Sequence, residues 1–265
     1  MLRDITIGQY YPANSVIHRI DPRVKICSTF LFIISLFIVK HFVAYIYVIA
    51  FLGAVILLSK VPFIYMVRGL KPLFIIILFT FGINAFMTKG EVLYQIGFIT
   101  VTVEGLQQAF FMALRLILLI IGTSILTLTT SPIELTDGIE QLLKPFEKIG
   151  VPAHELAMMM TIALRFIPTL LEETDKIMKA QMARGADFES KNIIQRAKSL
   201  VPLLVPLFIS AFRRADELAI AMEARCYRGG ENRTRLKELS LHGRDFLASF
   251  VVLAVLCAVI WDRFL

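Results

Sequence analysis

The apolar residues of this chain lie in long runs near its two ends, and this distribution constrains the fold more than any other feature. A helix needs about 20 consecutive apolar residues to cross the hydrocarbon core of a bilayer, because each residue advances it by only about 1.5 Å. Five runs approach or reach that length. They cover residues 26–39, 42–58, 72–87, 106–129 and 246–264. The first run is short and could either cross the bilayer fully or lie tilted in it.

The composition supports the same class of protein. Of the 265 residues, 57% are hydrophobic and 18% are charged, whereas soluble domains have about 45–50% apolar and about 25% charged residues. The fold class that we predict is therefore an all-α, polytopic membrane protein. The formal net charge of +7 is typical of basic cytoplasmic loops in such a protein, and we do not expect nucleic acid as a partner.

The basic residues of the short loops predict the orientation in the membrane. They are concentrated before the first run (Arg3, Arg19, Arg23 and Lys25) and after the second (Lys60, Arg68 and Lys71), while the alternate loops contain only Lys40 and Lys89. The positive-inside rule then puts the N-terminus in the cytoplasm. We predict an N-terminal membrane domain at 1–130 with about four helices, a cytoplasmic domain at 131–245 and a last membrane helix at 246–265.

The segment 131–245 contains two long amphipathic helices. Ser131 and Pro132, with Glu134, predict the start of a short preceding helix. The first long helix passes through Pro168 and the second through Pro202 and Pro206. Each has a stripe of apolar or small residues, along which we expect it to pack. The stripes are Leu170, Leu171, Thr174, Ile177, Met178 and Met182 in the first helix, and Phe208, Ala211, Phe212, Ala215, Leu218, Ala219 and Met222 in the second. We expect Gly185 to end the first helix and Gly229-Gly230 to end the second.

Both long helices end in a small residue, an arginine and a second small residue. The two motifs are Ala183-Arg184-Gly185 and Ala224-Arg225-Cys226. At 100° per residue, each arginine lies roughly 80–90° from the centre of its own apolar stripe, on the same side. Small neighbours would allow another backbone to approach, and an arginine fork suits carboxylates. The alternative is an ordinary helix C-terminus, where a cation favours the dipole. The repetition in matching phase favours a docking role.

The chemistry of an enzyme is not apparent in the sequence. There is no GxxxxGK[ST] loop for ATP, and Met158 stands where a His154-Glu155 zinc motif would need its second histidine. We therefore predict no catalytic, cofactor-binding or metal-binding residue. Arg115 is the one clearly intramembrane charge, with a structural or a functional role, and Asn84 is interpreted as an interhelical hydrogen-bonding residue. A self-contained secondary transporter or channel, the alternative function, would require more such groups and repeated halves.

The chain resembles the transmembrane (T) component of energy-coupling factor (ECF) transporters, the EcfT family of the ABC class. The two arginine motifs carry most of the resemblance, and the second departs from it only by Cys226 in the third place. Three other stretches match. They are Asp21-Pro22-Arg23 with Lys25, Ser131-Pro132-Ile133-Glu134-Leu135, and Ala163-Leu164-Arg165-Phe166-Ile167-Pro168.

The resemblance implies an energy-coupling scaffold in a bacterial cell membrane. The cytoplasmic part would then be a helical coupling domain of long crossing amphipathic helices, whose tips dock into two cytosolic ABC-type ATPase subunits. The arginines would pair with acidic groups of those subunits, which bind the ATP, so this chain would need no cofactor. The membrane part would hold a substrate-binding membrane (S) subunit that carries a vitamin or a transition-metal ion.

Overall fold

The computed structural model describes residues 10–96, 99–188, 192–229 and 239–264. These residues form two compact units. One comprises residues 10–138 and 239–264, and we call it the membrane unit; the other comprises residues 139–188 and 192–229, and we call it the two-helix unit. The division falls within a helix, after Gly138.

The described residues are mainly helical. The helices are α1 (Pro22–Ile38), α2 (Phe42–Ser59), α3 (Phe63–Arg68), α4 (Phe74–Met87), α5 (Val103–Thr129), α6 (Pro132–Leu143), α7 (Ala153–Ala183), α8 (Ile193–Ala224) and α9 (Gly243–Phe264), with 3-10 segments at Lys71–Leu73 and Lys144–Ile149. Two short antiparallel strands, β1 (Val92–Ile96) and β2 (Ile99–Thr102), pair between α4 and α5 with Ile96 opposite Ile99. This hairpin was not predicted from the sequence.

Five of the described helical stretches are long and apolar enough to cross a membrane. Four of them, Phe42–Ser59, Phe63–Met87, Val103–Thr129 and Gly243–Phe264, correspond to predicted spans, and the second begins earlier than predicted because α3 continues into α4. The fifth is α7. Its most apolar stretch of 18 residues has a mean hydropathy of 1.2, whereas the corresponding stretches of the other four have values of 1.9–2.5. The remaining predicted run forms α1, which has 17 residues.

The membrane unit is built around α1, α2, α5 and α9. Leu36, Val48, Leu128 and Val259, one from each helix, are at most 2% exposed and belong to one core cluster. Burial of such side chains contributes about 1.5–3 kcal/mol each in water, but within a bilayer close packing replaces that driving force. The cluster therefore fixes how the four helices pack.

Hydrogen bonds at the ends of these helices define their directions. Lys25 near the start of α1 donates to the carbonyl of Thr129 at the end of α5, at 3.0 Å. Asp21 donates its amide to Asp245 at the start of α9, at 2.8 Å. We call this end of the unit the base. Since α1 and α9 start there and α5 ends there, the residues that begin and end the segment 131–245 both lie at the base.

α6 begins where it was predicted to begin, and the two long helices that follow contain the predicted prolines. Ser131 Oγ accepts from the amide of Glu134, and Glu134 Oε2 accepts from the amide of Ser131, both at 3.3 Å, which is a capping box at the start of α6. α7 and α8 have 31 and 32 residues and contain Pro168, Pro202 and Pro206 in their interiors.

Candidate docking site at two helix tips

α7 and α8 lie antiparallel. Near the end of α7, Gln181 Nε2 donates to the carbonyl of Pro202 at 3.4 Å. Further along, Glu173 and Arg214 form an ion pair at 3.1 Å. At the far end, His154 Nε2 lies 3.5 Å from Tyr227 Oη. The residue numbers rise along α7 as they fall along α8, so the end of each helix lies beside the first part of the other.

This arrangement separates the two arginine motifs. Arg184 lies near Pro202 of α8, because it is three residues beyond Gln181, which contacts Pro202. Arg225 is 23 residues further along α8 than Pro202. At about 1.5 Å per residue, the two arginines are about 35 Å apart. The helix pair therefore presents its two motifs at opposite ends.

The predicted apolar stripes pack only in part. Ile162, Phe166 and Leu170 of α7 line a common groove with Ala211, Ala215, Leu218 and Met222 of α8. Phe208 and Phe212, which were predicted to pack, are instead 61% and 69% exposed. Of the alanines of α8 that line this groove, Ala211 is half-buried, whereas Ala215 and Ala219 are exposed, and neither phenylalanine is part of its lining.

The backbone forms the same turn at both tips. After α7, the amide of Gly185 donates to Met182 O and that of Ala186 donates to Gln181 O, both at 3.0 Å. After α8, Cys226 donates to Glu223 O at 2.9 Å and Tyr227 donates to Met222 O at 3.1 Å. At each tip the two hydrogen bonds are those of a Schellman turn. In this turn the third residue of the motif is the first residue after the C-cap. Each arginine is thus the C-cap of its helix.

This turn gives a local reason for the third residue of each motif. Gly185 has φ 89° and Cys226 has φ 53°, and glycine adopts such left-handed conformations at the lowest cost. No atom lies within 4 Å of a Cβ added to Gly185. The backbone therefore favours glycine at this position, and the open space around it is compatible with the predicted approach of a partner.

The predicted end of the second long helix is wrong. α8 ends at Ala224, five residues before Gly229, because Cys226 already adopts the left-handed conformation. Gly229 also has a positive φ, of 88°, but lies beyond the helix. Gly230, the other half of the predicted stop, lies outside the described residues.

All six motif residues are exposed. They are Ala183, Arg184, Gly185, Ala224, Arg225 and Cys226. Neither arginine has an ion pair with another described residue. As far as the described residues go, both guanidinium groups are available to a partner, and a carboxylate would satisfy two of their donors at once.

The side-chain contacts beside the two tips differ. Beside the second tip, Tyr227 contacts His154, whose Nδ1 lies 3.1 Å from Glu140 Oε1. A cavity of about 470 Å³ lies there, lined by Met158, Met222 and Arg225 among others. Beside the first tip, Ser199 Oγ donates to Asp187 O at 2.8 Å. The second tip thus has an adjoining recess with apolar and cationic walls.

The Asp21-Pro22-Arg23 sequence has a structural role at the base. Asp21 caps α1 by accepting from the amide of Arg23 at 2.9 Å, and Arg23 Nη2 donates to its other oxygen at 2.8 Å. Burial acts to raise the pKa of Asp21, but the hydrogen bonds and the charge of Arg23 outweigh it and hold the pKa below its ordinary value. Pro22 occupies the first turn, where no amide donor is required.

Asp245 was not predicted to have a role and is only 2% exposed. Its two oxygens accept from the amides of Asp21 and His242, at 2.8 and 2.7 Å. It therefore joins the start of α1 to the start of α9. An aspartate in the first turn of an apolar helix was the available signal, since such positions favour capping.

The polar groups within the apolar helices bond to backbone carbonyls. Arg115 Nη2 donates to Val39 O at 3.0 Å, and its guanidinium lies 5.8 Å from the Phe37 ring centroid. This contact satisfies a carbonyl at the end of α1 and supports the structural role. Asn84 donates to Thr80 O of its own helix at 2.8 Å, so the predicted interhelical bond is not the one observed.

The part of the chain that the structure describes contains no group of three or more His, Cys, Asp or Glu that could hold a metal ion. The fold and the site thus define a polytopic helical membrane protein that presents two equivalent turns on a pair of long helices.

Comparison with known proteins identifies its family. A family model described as "CbiQ: Cobalt transport protein" matches residues 13–236. The protein "Energy-coupling factor transporter transmembrane protein EcfT" of Thermosediminibacter oceani is 65% identical over 265 residues, 100% of both chains. Proteins of the same name from Clostridium kluyveri and Bacillus subtilis are 65% and 52% identical, over 99% and 97% of this chain and 98% of each relative. The chain belongs to the EcfT family, and it is the transmembrane component of an ECF transporter.

Proposed function

We propose that this chain transmits ATP-driven motion from two cytosolic ABC-type ATPase subunits to a substrate-binding membrane subunit that imports a vitamin or a transition-metal ion. The ATPases bind the nucleotide, so this chain is non-catalytic and needs no cofactor of its own. The base of the membrane unit and the two-helix unit face the cytoplasm of a bacterial cell.

The observation that carries the proposal is the duplicated tip. Two exposed arginines, Arg184 and Arg225, cap two antiparallel helices and are followed by the same Schellman turn. A helix C-terminus carries partial negative charge, which a C-capping arginine offsets. Each tip is then a cationic protrusion suited to an acidic groove on another protein. Two equivalent protrusions match two similar partners.

The spacing of the tips suits two separate partners. A compact domain of about 100 residues has a radius of gyration of about 13 Å, hence a diameter of roughly 33 Å. Two arginines about 35 Å apart, roughly one such diameter, are far enough apart for each to contact a different subunit. Because α7 and α8 contact along their length, movement of one tip would displace the whole pair.

The exposed apolar row of α8 provides a surface for the membrane partner. Val201, Val205, Phe208 and Phe212 recur at helical spacing and are 57%, 52%, 61% and 69% exposed. Apolar patches of this kind mark sites of interaction with protein or membrane. We assign the row to the substrate-binding subunit, whose displacement would follow the movement of the helix pair.

Copurification tests the assembly. The tagged chain is expressed with its two ATPases, and Arg184→Glu, Arg225→Glu and the double variant are compared with wild type. Each single change should weaken recovery of the ATPases, since a charge-assisted pair becomes a repulsive contact, and the double change should abolish recovery and uptake.

The matched control is Arg213→Glu, which makes the same charge change at an exposed position of α8 away from both tips. This variant should retain both ATPases. Normal assembly and uptake by the double variant would refute the docking role. Uptake by the chain alone, without ATPases, would support a self-contained transporter.

A further inference from the structure

The membrane unit contains an apolar cleft of about 240 Å³ between α1, α2, α5 and α9. Phe32, Phe51, Val55, Ile125 and Val252 form part of its wall. Each helix contributes residues from the half that lies nearer the base. The cleft is therefore confined to one end of the unit.

The depth of the cleft matches one leaflet of a bilayer. Along α9, its lining extends from Arg244 to Val252, eight residues or about 12 Å. Half of a hydrocarbon core of about 30 Å is about 15 Å. Leu247 and Leu58 at its border are 69% and 52% exposed, so the cleft is flanked by apolar surface of the kind that faces lipid.

Two basic residues line the base end of the cleft. Arg244 is exposed and makes no hydrogen bond or ion pair within the described ranges. Lys25 is 7% exposed and donates to the carbonyls of His18 and Thr129, both at 3.0 Å, which uses two of its three donors. No described carboxylate lies within 4 Å of either cation.

The acidic groups at the base are already engaged. Asp21 is paired with Arg23, and Asp245 accepts from two backbone amides. Glu134 accepts from the amide of Ser131. An anion at the mouth of the cleft would therefore meet Arg244, which has no described partner, and Lys25, whose charge also interacts with the carboxylates of Glu134, Asp21 and Asp245.

We propose that the cleft binds an anionic phospholipid, with an acyl chain between the four helices and the phosphate at Arg244 and Lys25. Charge complementarity at the mouth and the one-leaflet depth of the apolar walls point to this occupant. The binding would tie the starts of α1 and α9 to the end of α5 through one ligand. The inference depends on the membrane unit alone and stands apart from the proposed ATPase docking.

Native mass spectrometry of the purified transporter complex tests the proposal. The complex is incubated with phosphatidylglycerol or with phosphatidylcholine of the same acyl chains. We expect wild type to retain phosphatidylglycerol preferentially. Arg244→Gln should reduce that retention about fivefold, the order of magnitude for one basic residue at a membrane surface. Ala248→Phe, which fills the cleft, should reduce retention of both lipids.

Arg263→Gln is the control, because it removes the same charge at the opposite end of α9 and should leave retention unchanged. Equal retention of the two lipids by wild type, or undiminished phosphatidylglycerol retention by Arg244→Gln, would overturn the proposal. Recovery of the complex with a protein subunit cross-linked into the cleft and without lipid would overturn it as well.

Discussion

Gly185 and Cys226 occupy equivalent backbone positions, although they differ in side chain and lie on different helices. Each directly follows an arginine, each has a positive φ, of 89° and 53°, and each donates its amide to a carbonyl three residues earlier, at 3.0 and 2.9 Å. A residue with a Cβ adopts this conformation at a cost of roughly 1–2 kcal/mol. The second tip therefore keeps the turn despite this cost.

Exchanging the two residue types should change the tips in opposite directions. Gly185→Ala should weaken the first turn and Cys226→Gly should strengthen the second, each by about 1 kcal/mol, or roughly fivefold in local opening. Hydrogen exchange of the amides at 185–186 and 226–227 measures the local opening of the two turns. Gly243→Ala, at a glycine without a positive φ, is the control. Equal hydrogen-exchange protection in all variants would contradict the explanation that the positive φ favours glycine as the third residue of the motif.

Asp245 should be a stabilising residue of the membrane unit. Asp245→Ala leaves the amides of Asp21 and His242 without their acceptor and should cost about 2–4 kcal/mol. Asp245→Asn retains one good acceptor and should cost less. Thermal unfolding of the purified chain in detergent measures both. Asp262→Asn, at a carboxylate whose buried Oδ2 has no partner in the described residues, should not lower the stability. Equal melting temperatures of Asp245→Ala and wild type would refute the stabilising role of Asp245.

Arg115 should act through structure alone. Arg115→Met loses the hydrogen bond to Val39 O and should lower stability by about 1–2 kcal/mol, while uptake by the assembled complex stays near wild type. Thermal unfolding and uptake are measured on the same preparation. Arg115→Lys, which retains the charge, is the comparison. A complex that assembles normally with Arg115→Met yet does not transport would instead indicate a functional charge.

The spans were predictable because a bilayer imposes a minimum apolar length, so composition along the chain is nearly sufficient to locate them. The start of α6 was predictable because Ser131 and Glu134 make purely local bonds. Contacts between distant segments were not predictable from the sequence. Asp245 and Asp21 are 224 positions apart, and neither position indicates the other.

The end of α8 was mispredicted for a related reason. Gly229-Gly230 is the stronger local stop signal, but the backbone turns at Cys226, where the sequence offers no glycine. The exposure of Phe208 and Phe212 also escaped prediction, because periodicity identifies an apolar face without specifying which of its residues contact the neighbouring helix.

Labelling of Cys226 shows which side of the membrane the second tip faces, since this native thiol is exposed there. The other two cysteines, Cys27 and Cys257, are replaced by alanine, and cells are treated with a membrane-impermeant maleimide before or after permeabilisation. We expect labelling only after permeabilisation, and we expect coexpressed ATPases to protect the thiol. Labelling of Cys226 in intact cells would contradict the proposed docking, because a tip outside the cell cannot contact a cytosolic ATPase.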